Sequence, residues 1–243
     1  MKNLLASELL AVWERGYGQN ALLRSQMLLS AAFPEMSSDA LDSISIGQRD
    51  NLLMQLRIDL FGPSLSAITS CPQCKERLEL SLSLPDSPQR PPDPGQEILI
   101  SQGGYDLRLR LPNFRDLMNL SQTDHPPYDR RKLLDLCIQD AKHLGVKCNS
   151  EQLPKELIDA VSETMSEADS TSSDQLSLSC PSCHFSWQET LDTASFLWAE
   201  IDAWALRTLR EVHAISSRYG WSESEILELS PLRRRIYLEM VSE

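Results

Sequence analysis

The sequence predicts an α+β fold in which two strand-flanked cysteine turns lie between helical N- and C-terminal regions. The motif Cys-Pro-x-Cys occurs twice, at Cys71–Cys74 and at Cys180–Cys183. Apolar and polar residues alternate beside each copy, which is typical of half-buried strands. The two ends of the chain instead repeat apolar residues every three or four positions, as amphipathic helices do.

The two cysteine turns supply a complete ligand set for one zinc ion. Two cysteines three positions apart on a tight turn can aim both sulfurs at one point, and two such turns provide the four thiolates of a tetrahedral site. The predicted ligands are Cys71, Cys74, Cys180 and Cys183. Because four protein ligands leave no position for water, we predict a structural zinc in a zinc-ribbon-like unit with two knuckles.

Other uses of the cysteines stay open at this point. Independent redox dithiols of the thioredoxin kind are disfavoured, because neither motif opens a helix after a buried strand. Structural disulfides are disfavoured because the sequence shows no secretory signal. His184 follows Cys183 directly and could replace a thiolate, although four cysteines are the simpler set. Cys137 falls on a predicted helical face, where we expect a buried free thiol.

The composition narrows the class of protein. The net charge of −12 over 243 residues opposes a nucleic-acid role, since binding to a phosphate backbone relies on a surplus of Lys and Arg. No apolar run is long enough to cross a membrane. With no targeting signal, we expect a reducing cytoplasm, where thiolates are available to a metal.

The N-terminal region, residues 1–63, is predicted to be helical. A leucine-rich stripe runs to Trp13 and is broken by the glycines that follow. A second helix spans about residues 21–32. A third follows Gly47 and stops at Gly62-Pro63.

The first knuckle and its strand occupy residues 64–84, and residues 85–175 are predicted to be a long insertion. The insertion opens with a proline-rich loop over residues 85–96. A β-hairpin follows over residues 97–111, with its turn at Gly103-Gly104. Asn113 and Asp116 then resemble the start of a helix.

Two more helices are predicted inside the insertion. The first spans residues 130–144 and ends at Gly145. The second begins after Pro154. His125 lies in the loop before them and is expected to be solvated. A polar connection over residues 169–175 leads to the second knuckle, residues 176–191.

The C-terminal region, residues 192–243, has the clearest helical periodicity. A long amphipathic helix ends at Gly220. Ser222 and Glu225 then form a capping box for a short helix. Ser230-Pro231 begins the last helix.

Six residues of this region are candidates for contacts with a partner. Trp198 and Trp204 lie six positions apart and cannot share one narrow stripe, so we expect one in the core and the other at the surface. The three consecutive arginines are expected to fan around the last helix, as a solvated face or as a basic contact. The candidates are Trp198, Trp204, Trp221, Arg233, Arg234 and Arg235.

The motifs of common enzyme classes are missing from the sequence. It contains no phosphate loop, dinucleotide glycine fingerprint or nucleophile elbow. The histidines form no H-E-x-x-H set; they are His125, His143, His184 and His213. The sequence therefore predicts a protein that is not an enzyme.

Several blocks spread over nearly the whole chain carry a family resemblance. They are Trp13-Glu14-Arg15-Gly16, Gly47-Gln48-Arg49-Asp50, Leu60-Phe61-Gly62-Pro63, Arg110-Leu111-Pro112-Asn113 before Asp116-Leu117, both cysteine pairs, Ala194-Ser195-Phe196-Leu197-Trp198, Glu211-Val212-His213, Tyr219-Gly220-Trp221-Ser222-Glu223 and Arg233-Arg234-Arg235. Together they resemble a family of baseplate proteins, or baseplate hub assembly chaperones, of contractile-tailed phages and related contractile injection systems. Members commonly have Gly after each cysteine pair, where this chain has Lys75 and His184.

The resemblance implies a role in building a contractile tail. Its partners would be other baseplate or tail proteins, which the chain would bind and help to assemble, either as a transient chaperone or as a part that stays in the particle. The closest rival is a permanent structural component of the baseplate. A rival of another class is a zinc-ribbon nucleic-acid-binding protein, which the acidic charge disfavours.

Overall fold

The computed structural model describes residues 1–83, 97–123, 130–169 and 175–241. It consists of groups of helices separated by small antiparallel sheets. The helices are α1 (Ala6–Gly16), α2 (Ala21–Ala32), α3 (Ser38–Ser43), α4 (Ile46–Phe61), α5 (Phe114–Thr123), α6 (Arg130–Cys137), α7 (Lys155–Asp169), α8 (Thr193–Tyr219), α9 (Glu223–Leu227) and α10 (Pro231–Val241). The strands are β1 (Ser64–Ser70), β2 (Arg77–Ser83), β3 (Glu97–Gln102), β4 (Tyr105–Arg110), β5 (Ile138–His143), β6 (Val146–Lys147), β7 (Gln175–Ser179) and β8 (Ser186–Thr190). The mixture confirms the predicted α+β class.

The chain divides into two compact units. A terminal unit combines Met1–Glu35 with Ala194–Glu243, and a central unit comprises Met36–Thr193. The predicted loop over 85–96, the loop that holds His125 and most of the 169–175 connection lie outside the described residues. In the described ranges, no helix has the length and apolar character needed to cross a membrane.

In the terminal unit, α1 packs closely against α8. The indole Nε1 of Trp13 donates a hydrogen bond to Asp202 Oδ1 at 2.8 Å. A Cβ atom on Gly16 would lie 2.3 Å from the ring of Trp198, so the helix needs glycine at this contact. The guanidinium of Arg24 lies 4.6 Å from the centre of the same ring, which favours a cation–π contact.

An aromatic cluster joins α8 to α10 in the terminal unit. Trp221 lies edge-on to Tyr237, with ring centres 4.9 Å apart, and stacks on Tyr219 at 5.1 Å. These rings pack against a small buried core from α8 and α9, formed by Val212, Ile215 and Ile226. Ser222 and Glu225 cap α9 reciprocally, which confirms the predicted capping box.

A four-stranded antiparallel sheet in the order β3-β4-β5-β6 lies in the central unit. The turn between β3 and β4 is the predicted Gly103-Gly104, with φ of 62° and 80°, as a two-residue hairpin turn with two left-handed positions requires. One face of the sheet is buried against α7. Its core includes Ile98, Leu107, Leu109, Ala141, Leu157, Ile158 and Val161.

The helix predicted over residues 130–144 is wrong in its second half. α6 ends at Cys137, and residues from Ile138 form β5, which pairs with β4. Leu134, Ile138 and Ala141 have helical spacing, but pairing with β4 places Ala141 on the buried face of the sheet. Tertiary pairing therefore overrides the local pattern. Cys137 is buried as predicted, at the last position of α6.

Asp169 ties the end of α7 to the start of α4. Its carboxylate accepts hydrogen bonds from the Ser45 hydroxyl and, at 2.9 Å, from the backbone N–H of Gly47. A Cβ atom on Gly47 would lie 1.9 Å from the carbonyl oxygen of Asp169. Glycine is therefore the residue that permits this contact, and one block of the family resemblance has a structural explanation.

A second block of the resemblance contains an ion pair that begins at Arg110, the last residue of β4. Arg110 Nη1 and Nη2 lie 2.6 Å and 2.8 Å from the two carboxylate oxygens of Asp116. Asp116 also accepts from the Asn113 N–H at 2.9 Å, and Asn113 accepts from the Asp116 N–H at 3.2 Å. The predicted helix start is thus confirmed, and the ion pair raises the pKa of the Arg110 guanidinium.

Candidate metal centre

Two β-hairpins with the same hydrogen-bonding scheme present the cysteine turns. β1 pairs with β2, β7 pairs with β8, and each pair is joined by one cysteine turn. In the first turn, Cys71 N–H donates to Glu76 O at 2.9 Å and Lys75 N–H to Cys71 O at 3.0 Å. In the second, the corresponding bonds from Cys180 to Phe185 and from His184 to Cys180 are both 2.9 Å. The turns are therefore copies of one local structure.

The four predicted sulfurs converge on one point. All four Sγ atoms lie within 4.8 Å of one another. Cys71 Sγ is 3.6 Å from Cys183 Sγ, and Cys74 Sγ is 3.5 Å from Cys180 Sγ. A disulfide would require about 2.05 Å, whereas zinc–sulfur bonds of about 2.3 Å place tetrahedral sulfurs about 3.8 Å apart. The spacing therefore fits four thiolates around one ion, and we call this group the metal centre.

Each close pair joins one turn to the other. The first cysteine of one hairpin faces the second cysteine of its counterpart, in both directions. Cys71 and Cys180 are fully buried, Cys183 is half-buried and Cys74 is exposed. An ion held here would connect the two hairpins and would reach solvent on the Cys74 side.

Backbone N–H groups point at the sulfurs and alter their acidity. Burial raises the pKa of the Cys71 thiol, but the N–H groups of Cys74 and Gln73, together with the side chains of Cys183 and Cys74, bring that pKa to about 7. The N–H of Glu76 lowers the pKa of Cys74, yet burial and the three other sulfurs raise it to about 12. Four negative sulfurs cannot share this space alone, so a bound cation would supply the charge that the full thiolate set needs.

His184 lies outside the group of four converging cysteines. In the residues that the structure describes, the group of possible ligands contains the four cysteines and no histidine. His184 is exposed with φ of 59°, and Lys75 is exposed with φ of 63°. Both follow a cysteine pair at a left-handed position, a backbone conformation that glycine adopts more readily than residues with a Cβ atom.

The candidate partner residues separate into buried and exposed groups. Trp198 is 6% exposed and packs inside the terminal unit, so one tryptophan is in the core as predicted. A partner contact by Trp198 stays a prediction. Trp204 and Trp221 are half-buried.

The three arginines fan around α10 as predicted. Arg233 and Arg235 are exposed, but Arg234 is 4% exposed. Arg234 Nε donates to Glu211 Oε2 at 3.0 Å and its Nη1 to the Leu229 carbonyl at 2.8 Å. Arg234 therefore stabilises the fold of the terminal unit, and a partner contact by this residue stays a prediction.

The sequence predictions missed an exposed apolar stripe on α10. It consists of Leu232, Ile236 and Met240, which are 59%, 41% and 55% exposed. The signal was available, because a spacing of four residues places all three on one side of a helix. We call this set the outer seam.

Comparison with known protein families gives a match to this chain. A family model described as T4 bacteriophage base plate protein matches residues 24–198. The matched segment covers more than half of the chain and contains both cysteine turns. No curated protein and no solved structure matches the chain.

Proposed function

This chain belongs to the T4 bacteriophage base plate protein family. We propose that it is a non-enzymatic factor for baseplate assembly whose fold is stabilised by a structural zinc ion. It would bind other baseplate or tail proteins while the hub of a contractile tail, or of a related injection system, is built. The convergence of four sulfurs within 4.8 Å is the observation that carries the zinc part of this proposal. Family membership carries the baseplate part.

Zinc is the metal that the ligand set favours. Thiolates are soft ligands, and a compact four-sulfur site around one ion is typical of structural zinc. A reducing cytoplasm would keep the cysteines available until the ion binds. The backbone N–H groups directed at Cys71 and Cys74 support the same assignment, since such contacts orient metal ligands and offset their charge.

The ligand set also favours a structural over a catalytic role. Four protein thiolates fill a tetrahedral zinc, so no water or substrate reaches the metal. The ion would instead hold two hairpins that are separated by 106 positions between Cys74 and Cys180. Such a site would give the chain a rigid surface for binding other proteins, which suits an assembly factor.

Metal analysis of the purified full chain tests the zinc part. We expect about one zinc per chain by inductively coupled plasma mass spectrometry, from a protein purified without chelators. The Cys74→Ser Cys183→Ser double variant should lose the ion. Zinc near zero in the native protein would remove the structural-zinc proposal.

Mass spectrometry of mature tail particles tests the assembly role. A transient factor would bind tail proteins in cells that assemble the particle and would be missing from the finished particle. Stoichiometric presence in the particle would instead establish a permanent baseplate component. Failure to associate with any tail protein would overturn both roles.

A further inference from the structure

α10 has an inner face that belongs to the core of the terminal unit. Arg234 is buried on it, and Tyr237 and Leu238 pack against the cluster around Ile226. These residues recur at intervals of three and four, which places them on one side of the helix. The fold of the terminal unit thus fixes the orientation of α10.

The outer seam lies on the opposite side of the same helix. At about 100° per residue, Leu232, Ile236 and Met240 point away from Arg234. Two of the three are more than half exposed. Burial of such side chains against a partner is favourable, and a narrow apolar row with polar flanks is the pattern that packs against one other helix.

Arginines border the outer seam on both sides. Arg233 and Arg235 are exposed and lie at about 100° to either side of Arg234 around the helix. Arg235 Nε is 3.8 Å from Glu239 Oε1, with both side chains about 70% exposed. Glu239 lies on the same side of the seam as Arg235, so Arg233, Arg235 and Glu239 together give the border a net charge of about +1. This local excess of positive charge contrasts with the net charge of −12 of the chain, and it complements a partner with carboxylates beside its apolar row.

We propose that the outer seam docks an acidic amphipathic helix of another baseplate protein. The inference rests on the proposed function, because it supplies the partner surface that an assembly factor needs. The seam from Leu232 to Met240 is about 12 Å long, which matches two turns of a crossing helix. A second copy of the chain would bring arginines as well as Glu239 to the seam, so its charges fit less well than those of a helix with carboxylates alone.

Two matched synthetic peptides test the charge and shape of the occupant. Both are helical with the same leucine row, and one carries Glu beside the row where the other carries Lys. We expect the full chain to bind the Glu peptide at least about tenfold more tightly by fluorescence anisotropy, with affinity that falls as salt rises. Equal binding of the two peptides, or no binding of the Glu peptide, would overturn the proposal.

Variants locate the binding to α10. Ile236→Asp should lower the affinity of the chain for the Glu peptide by about tenfold or more. The double variant Arg233→Glu Arg235→Glu should instead prefer the Lys peptide. Leu99→Asp and Arg130→Glu are matched controls, since Leu99 is 74% exposed and Arg130 side chain is 77% exposed. Both controls should bind like the native chain. Unchanged binding by Ile236→Asp would overturn the proposal.

Other occupants give distinct results. Concentration-dependent dimers in analytical ultracentrifugation that Ile236→Asp abolishes would assign the seam to a second copy and overturn the proposal. Seam-dependent binding to vesicles of phosphatidylglycerol and phosphatidylcholine would overturn it in favour of a lipid surface. Zinc content and association with tail proteins are measured separately, so failure at the seam is distinguishable from failure of the proposed function.

Discussion

Cys74 and Cys180 lie 106 positions apart in the sequence, and their sulfur atoms lie 3.5 Å apart in the structure. A metal ion bound by both sulfurs would close a long loop of the central unit. Structural zinc contributes on the order of 10–16 kcal/mol of apparent folding free energy in small peptides. A typical domain is stable by only about 5–15 kcal/mol.

We therefore expect Cys180→Ser to remove the bound zinc and to abolish the cooperative unfolding transition of the central unit. Zinc analysis and thermal unfolding by circular dichroism measure the two effects. Cys148→Ser is the control, because Cys148 is half-buried outside the metal centre, and should cost about 1 kcal/mol. A Cys180→Ser protein with native zinc content and native Tm would contradict the prediction.

Lys75→Gly and His184→Gly should each stabilise the protein. Both residues hold a left-handed φ, which costs a residue with a Cβ atom about 1–2 kcal/mol. Glycine avoids that cost but loses more backbone entropy on folding, so we expect a net gain of about 0.5–1 kcal/mol from denaturant unfolding.

Gln73→Gly is the matched control in the same turn. Gln73 is exposed and has no left-handed φ, so glycine there brings only its entropic cost and should destabilise. Equal effects at Gln73 and Lys75 would show that backbone strain is not the cause.

Adjacent arginines on α10 should differ sharply in their contribution to stability. Arg234→Ala removes a buried partner of Glu211 and should cost about 3 kcal/mol. Arg233→Ala removes an exposed side chain and should change stability by no more than about 0.5 kcal/mol. Urea unfolding of the two variants measures the difference, and similar values would contradict the assigned role of Arg234.

Cys137 should make the protein less stable in alkaline solution. Burial, with a contribution from Asp116, raises the pKa of its thiol from 9.0 to about 12. A raised pKa means that the folded state keeps a proton that the unfolded state loses. The contribution of this thiol to the free energy of unfolding is therefore fully present below pH 9 and is lost as the pH rises from about 9 towards 12. Between pH 8 and pH 10 the loss should be about 1.4 kcal/mol.

Cys137→Ala isolates this effect. The variant is less stable at neutral pH because it leaves a small cavity, but its stability should fall less steeply above pH 9. The measurement is the difference in free energy of unfolding between the native chain and the variant across that range. A difference that does not change with pH would contradict the prediction.

Gly16→Ala should destabilise the terminal unit, although alanine normally favours a helix by about 1 kcal/mol over glycine. The new methyl group would meet the buried ring of Trp198 at 2.3 Å, and overpacking of this kind costs about 1–3 kcal/mol. In the Trp198→Leu background the same substitution should cost less. Additive effects in this double-mutant cycle would contradict a direct contact.

Local signals in the sequence predicted the elements that depend on neighbouring residues. Gly103-Gly104 fixed a hairpin turn, and Ser222 with Glu225 fixed a helix start, because both structures form within four residues. The metal centre was also predictable, since the repeated cysteine motif carries its own chemistry. The structure confirms that the four cysteines converge from two distant segments of the chain.

Features that depend on distant residues were less accessible. β5 is a strand because β4 pairs with it, although its apolar spacing is helical. The burial of Trp198 follows from the space left by Gly16, and that of Arg234 from Glu211, 23 positions away. No short window of sequence contains either partner.

The separation of the two cysteine turns also sets an order of events during synthesis. The ribosome makes Cys71 and Cys74 first. The second cysteine pair begins only after 106 further positions have been translated, at Cys180. At about 5–20 residues per second, translation leaves the first pair incomplete for roughly 5–20 s. Two of the four ligands bind an ion only weakly, so tight binding of the metal would require that both hairpins have left the ribosome.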